Sequence, residues 1–140
     1  MVLPQTAEYA LRAVLHIARH ECSMRVGEIA TAVGVPHNYL SKTLHQLARA
    51  GVLASARGPA GGFRLAVAPA ELTLEQVVSP FGSRSRRRCL LGGGVCGEMP
   101  ECAAHTRWAP VGSQVREFFS ATTVADLLSS TPSRDPEVMS

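Results

Sequence analysis

Apolar residues recur at Ala7, Ala10, Leu11, Val14, Leu15 and Ala18, a spacing that places them on one face of an α-helix. A shorter set, Val26, Ile29, Ala30 and Val33, repeats the period and ends at Gly34-Val35-Pro36. Glycine supplies the positive φ that ends a helix, and proline cannot donate to a continuing turn. A third stripe, Leu40, Leu44 and Leu47, predicts another helix, with Gly51 placed to cap its C-terminus. The pattern then becomes that of strands. Val52 to Ala56 and Phe63 to Val67 read as a pair joined by Arg57-Gly58-Pro59-Ala60-Gly61-Gly62. Two short helices about a Gly-containing turn occur in many small folds, but a hairpin directly after the second helix is a wing.

Beyond the hairpin, Thr73 and Gln76 have the spacing of a capping box, ahead of a short helix carrying Leu74, Val77, Val78 and Phe81. Periodicity vanishes from Gly82 to Glu101, a Gly-, Arg- and Cys-rich stretch too poor in apolar residues to pack on its own. It resumes with Trp108, Val111, Val115 and Phe118, spaced as the seam of a helix that packs on another helix, which we read as a dimerisation helix. Pro110 interrupts that helix least if it lies in the first turn, where amide donors are unpaired anyway. Val124, Leu127 and Leu128 predict a last short helix. The expected fold is mainly α with a small β-hairpin: a winged helix-turn-helix domain over 1–82, a cysteine loop over 83–105, a long dimerisation helix and short terminal helix over 106–128, and a disordered tail over 129–140.

The 140 residues suffice for one ordinary domain, and 46% hydrophobic with 18% charged residues is a globular composition. A net charge of +3 does not by itself name a nucleic-acid partner, but its distribution is uneven. Residues 1 to 67 hold seven Lys/Arg (Arg12, Arg19, Arg25, Lys42, Arg49, Arg57, Arg64) against Glu8, Glu21 and Glu28, so the half with the helix-turn-helix pattern is the basic half. Glu8 and Arg12 break the N-terminal apolar run, which therefore does not read as a signal peptide, and no segment is expected to span a membrane. Four cysteines without an export signal point to metal binding or redox sensing in a cytoplasmic protein rather than to a disulfide framework. No Cys-x-x-Cys pair, nucleotide-binding glycine signature or catalytic triad is present, so an enzyme is not expected.

In a helix-turn-helix the second helix enters the major groove of double-stranded DNA, so the side opposite Leu40, Leu44 and Leu47 should carry the readout. That side holds His37, Asn38, Ser41, Lys42, His45 and Arg49. Asparagine can pair in two-pronged fashion with adenine, serine can bond donor or acceptor edges, and lysine can reach guanine or a phosphate. Arg57, at the base of the wing tip, suits the minor groove or the backbone, and glycines such as Gly61 let the main chain approach closely. A hairpin also needs such glycines simply to close.

Cys89, Cys96 and Cys102 are separated by six and five residues, and His105 follows three positions after Cys102. Three thiolates and an imidazole can fill the terminal sites of an iron-sulphur cluster or the four sites of a tetrahedral zinc. Structural zinc usually shows at least one tight Cys-x2-Cys to Cys-x4-Cys knuckle, whereas wider, uneven intervals suit the larger perimeter of a cluster. Arg84, Arg86, Arg87 and Arg88 precede Cys89 and could offset thiolate charge or serve as a solvated, phosphate-attracting run. Cys22, alone between the first two helices, reads as a small buried or half-buried apolar residue.

The combination resembles the Rrf-type family of winged-helix regulators. The resemblance rests on Glu8-Tyr9-Ala10-Leu11-Arg12, Asn38-Tyr39-Leu40, Leu47-Ala48-Arg49-Ala50-Gly51 and Arg57-Gly58-Pro59-Ala60-Gly61-Gly62. It continues through the three loop cysteines, Cys102-Ala103-Ala104-His105 with Trp108, and Thr123-Val124-Ala125-Asp126-Leu127-Leu128. It implies a homodimeric transcription regulator, with repression the expected sense, that binds promoter DNA. It further implies a cluster held by Cys89, Cys96 and Cys102, whose state sets DNA affinity in response to redox conditions, iron-sulphur status or nitric oxide. Iron-sulphur assembly regulators of the family carry a histidine three residues after the last cysteine and a 2Fe-2S cluster, and His105 matches that position. Nitric-oxide sensors of the family use an N-terminal aspartate and a 4Fe-4S cluster, and Glu8 stands at the corresponding place. The first cysteine interval departs by one residue from the assembly-regulator pattern. His105 with 2Fe-2S is the favoured expectation and Glu8 or 4Fe-4S the alternative. The competing reading is a zinc-stabilised or apo winged-helix protein without cluster sensing.

Overall fold

A computed structural model of the chain describes residues 3–20, 22–58, 61–82 and 105–130. The elements are α1 (Gln5–His20), α2 (Val26–Val33), α3 (His37–Arg49), β1 (Leu53–Ala56), β2 (Gly62–Leu65), α4 (Leu74–Val78), a 3-10 turn (Ser79–Phe81), α5 (His105–Ala121) and α6 (Val124–Ser130). The mainly α, winged architecture expected from the pattern is therefore present.

Helix α1 is the central packing element and contacts α2, α3 and α4. Its buried residues are Ala7, Ala10, Ala13, Val14, Ile17 and Ala18. The buried face is thus rotated from the expected one: Ala13 and Ile17 lie inside, while Leu11 and Leu15 sit half-buried at its edge. Four alanines on this face keep the helix surface shallow and let neighbouring helices approach closely. Gly34 closes α2 at φ 72°, and its N–H donates to the Ala30 carbonyl at 2.9 Å. At the end of α3, Gly51 at φ 84° donates to Ala48 O at 3.1 Å and Val52 donates to Leu47 O at 3.0 Å. That bond pair is a Schellman closure, and its apolar contact comes from Leu47 and Val52, both buried. Thr43 is the buried polar residue of α3, and its Oγ1 donates to the Tyr39 carbonyl at 3.2 Å.

The strands pair antiparallel with Leu53 opposite Leu65 and Ala56 opposite Gly62. A further bridge brings in the segment before α2: Met24 N–H donates to Phe63 O at 2.9 Å and Phe63 N–H donates to Met24 O at 2.7 Å. Gly62 sits at φ 144° with its missing Cβ only 2.4 Å from Met24 O, so close backbone approach demands glycine there. This bridge also explains a correction. Met24, not Cys22, turns into the core, and Cys22 is exposed rather than buried or half-buried.

The capping box at Thr73 forms as expected: Gln76 N–H donates to Thr73 Oγ1 at 3.2 Å and Thr73 N–H donates to Gln76 Oε1 at 2.9 Å. A second, unforeseen box opens α6, with Thr123 N–H donating to Asp126 Oδ2 at 2.9 Å and Asp126 N–H donating to Thr123 Oγ1 at 3.1 Å. The two helix starts are joined by backbone bonds from Leu74 N–H to Thr122 O at 3.0 Å and from Val124 N–H to Leu72 O at 2.8 Å. Phe81 falls in the 3-10 turn rather than in α4, because Pro80 cannot donate to a continuing α-turn. Pro110 is not in the first turn of α5: the helix opens at His105, so the ring lies inside it and removes one internal hydrogen bond.

Candidate nucleic-acid interface and cysteine loop

The leucine stripe of α3 fixes what its other side presents. Leu40, Leu44 and Leu47 are fully buried, while His37, Asn38, Lys42, His45 and Arg49 are exposed and Ser41 is half-buried. Ser41, Lys42, His45, Gln46 and Arg49 line one shallow surface groove. Gln46 belongs to this groove although the sequence pattern alone does not mark it out. Lys42 and Arg49 supply positive charge, Gln46 both a donor and an acceptor, and the histidines either, so the face offers the groups that read base edges and phosphates.

His45 is the most closely positioned member. Its Nδ1 lies 2.7 Å from the Ser41 carbonyl, and its ring meets Phe63 nearly perpendicularly, at 85° and 5.4 Å between centroids. Phe63 is buried in β2, so His45 ties the reading helix to the wing. On the wing, Arg57 is exposed directly after β1. Gly61 is buried instead, its N–H donating to Gly58 O at 2.9 Å and its missing Cβ 2.5 Å from Ala56 O. The loop thus requires Gly61 for its own closure.

Tyr39 is a residue that pattern alone does not single out. It is 42% exposed, its hydroxyl lies 2.7 Å from Thr6 Oγ1, and its ring stacks edge-on against Tyr9 at 5.4 Å. The first turn of α3 is thereby joined to the first turn of α1, which also carries Glu8 in a half-buried position.

Cys89, Cys96 and Cys102, and the arginines before them, lie outside the described residues. His105 is the first residue of α5, and its side chain is likewise not described. Among the described residues no three His, Cys, Asp or Glu side chains come together as a metal site. The donor set left to the loop, three thiolates with an imidazole or a carboxylate beside them, suits the terminal ligation of an iron-sulphur cluster. Downstream, α5 has two unlike faces. Gly112 and Phe119 are buried, the latter 5% exposed in the common core, whereas Val111 and Phe118 stand 45% and 50% exposed.

A reading helix with a basic, polar outer face, followed by a two-stranded wing, is the arrangement of a winged-helix DNA-binding protein. The chain belongs to the Rrf2 family, described as iron-dependent transcriptional regulators, whose pattern matches residues 3–130. It is a DNA-binding transcription regulator and, like the family, not an enzyme. It is 35% identical over 132 residues to an HTH-type transcriptional regulator of Aquifex aeolicus, covering 91% of this chain and 92% of that one. It is 29% identical to the HTH-type regulator IscR of Aliivibrio salmonicida, covering 91% and 77%. Among solved structures it is similar to CymR, the global cysteine regulator of B. subtilis, with a TM-score of 0.77, 26% identity and 93% and 98% coverage. It shares its fold with T. potens IscR at a TM-score of 0.73, 20% identity and 98% and 94% coverage. No helix among the described residues is long and apolar enough to cross a membrane.

Proposed function

We propose that this regulator acts as a homodimeric, cytoplasmic promoter-binding repressor whose DNA affinity is governed by an iron-sulphur cluster, 2Fe-2S in the favoured form. The observation that carries the reading is the position of His105. It opens α5, so the segment bearing Cys89, Cys96 and Cys102 runs directly into the helix whose Val111 and Phe118 stand exposed for a partner. Cys89, Cys96 and Cys102 would hold the irons through thiolates and His105 would supply the fourth ligand, with Glu8, and then 4Fe-4S, as the alternative. Bound there, such a group supplies metal-sulphur bonds sensitive to redox state, iron-sulphur supply and nitric oxide. The exposed seam of α5 packs against its copy in a second chain. Each α3 then enters a major groove, in half-sites about one helical turn apart.

In this reading His37, Asn38, Ser41, Lys42, His45 and Arg49 contact the major groove or its phosphates. Arg57 reaches the minor groove or backbone, and Gly61 keeps the wing tip compact enough for close approach. Anchoring the loop at its thiolates fixes how α5, and through the dimer the two α3 helices, are set. Coupling of this kind is typically about 5- to 150-fold in affinity.

The likeness to the global cysteine regulator supports a second reading, in which the protein answers to cysteine status and the loop carries no cluster. Anaerobically purified protein distinguishes these. A coloured sample with stoichiometric iron and sulphide, bleached in Cys96→Ser, is the expected result. A colourless, metal-free protein favours the second reading, and a colourless protein with one zinc per chain makes the loop a structural clip. Either outcome leaves the DNA-binding assignment in place.

A further inference from the structure

We infer that His45 reads a hydrogen-bond donor edge in the major groove, the exocyclic amine of cytosine or adenine, through a lone pair on Nε2. The inference rests on the DNA-binding role of α3 and assigns a base-edge class to one residue of that face.

The argument is one of tautomer and position. The Ser41 carbonyl can only accept, so the 2.7 Å contact to His45 Nδ1 requires the proton to be on Nδ1. In the neutral ring this leaves Nε2 unprotonated, an acceptor. Ring orientation is held from a second direction by Phe63, whose own place is fixed by burial and by both backbone bonds to Met24. Among the described residues no other hydrogen bond to the His45 ring forms, and the side chain is exposed on the groove it shares with Lys42, Gln46 and Arg49. A side chain oriented by its own helix and by the wing loses little freedom on meeting DNA, which is what discrimination between base edges needs. In the major groove, cytosine N4 and adenine N6 present donors, whereas guanine O6 and N7 and thymine O4 present acceptors that would face the Nε2 lone pair unfavourably. Lys42 and Arg49 are donors only, so His45 adds to this face a kind of contact they cannot make.

The test is selection of binding sites from random duplexes by the full-length protein at pH 8. His45→Ala and His45→Phe are run in parallel; the phenylalanine keeps a ring against Phe63 and removes the acceptor. The parent should select, once in each half-site, a position confined to cytosine or adenine on one strand. Both variants should lose that preference, with discrimination falling about three- to tenfold, while the remaining positions of the site are retained. An unchanged preference in His45→Phe, or no such position in the parent's site, overturns the assignment to His45 alone. If the parent selects no sequence at all, the DNA-binding role beneath it falls as well.

Discussion

The Tyr39 hydroxyl lies 2.7 Å from Thr6 Oγ1, so the reading helix and the N-terminal helix are joined at their first turns. Tyr39→Phe keeps the edge-to-face contact with Tyr9 and deletes only the hydrogen bond. The expected loss of stability is about 0.5 to 1.5 kcal/mol, towards the lower end because the pair is exposed. Tyr39→Ala removes the ring contact too and should cost more. Urea midpoints of the three proteins test this, and identical midpoints would show that the link contributes nothing.

Two glycines of positive φ should respond differently to the same change. At Gly34, φ 72°, nothing lies within 4 Å of an added Cβ, so Gly34→Ala should cost only the left-handed backbone term, about 1 to 2 kcal/mol. At Gly62 the Cβ would meet Met24 O at 2.4 Å, and relief would break the Met24–Phe63 bridge. Gly62→Ala should therefore cost about 2 to 4 kcal/mol and loosen the wing, read as faster amide exchange at Met24 and Phe63.

These glycines also mark how far the sequence can be read. The cap at Gly34 and the hairpin before Gly62 are local, and local turn chemistry is legible from a few neighbouring letters. The need for glycine at Gly62 is not, because Met24 arrives from a segment with no strand pattern of its own. On α3 the leucine stripe determines the opposite face, which is why its polar outer residues are identifiable, whereas Tyr39 gains its meaning only when α1 folds beside it. The pattern misplaces the face of α1 because Leu11 and Leu15 continue the apolar period on one edge as well as Ala13 and Ile17 do on the other, and only the packing of α2, α3 and α4 decides which edge is buried. Asp126 in the second capping box escapes the pattern because the usual partner at that position is Glu or Gln.

The unlike faces of α5 allow the proposed assembly to be tested apart from folding. On the proposed dimer, a Val111→Asp, Phe118→Asp double variant places charge on exposed positions and should fold, yet sediment as a monomer while the parent sediments as a dimer. Loss of Phe118 alone from both sides of a dimer removes roughly 1.5 to 3 kcal/mol if the exposed half of each ring is covered there. Phe119→Asp, one residue on, should instead unfold the chain, since that ring is in the core. A dimer that survives the double variant would place the interface elsewhere.

Lys42 and Arg57 are both exposed, so replacing them with Ala should leave the melting temperature nearly unchanged. Promoter affinity should fall, and its dependence on salt should flatten by about 0.9 in log-log slope for each phosphate no longer neutralised, up to roughly 4 for a dimer in which both side chains of both chains had met one. An unchanged slope would mean that neither side chain meets the DNA backbone.

His16 gives a pH dependence whose sign follows from its surroundings. Partial burial, then the charges of His20 and Arg19, hold its imidazole below the ordinary value of 6.5 in the folded chain. The unfolded chain therefore binds more protons than the folded one between the lowered value and 6.5, and stability in that window rises with pH. The contribution is fully present above 6.5 and is lost as pH falls through the unfolded value towards the folded one. His20 lies close on the same helix, ring centroids 4.3 Å apart, which places its charge within reach of the His16 imidazole. His16→Gln removes the titrating group while retaining a polar side chain. Its stability, from urea unfolding at a series of pH values, should fall less steeply below pH 6.5 than the parent's. Superimposable profiles for the two proteins would show that His16 titrates alike in the folded and unfolded chains, leaving the acid sensitivity to other groups.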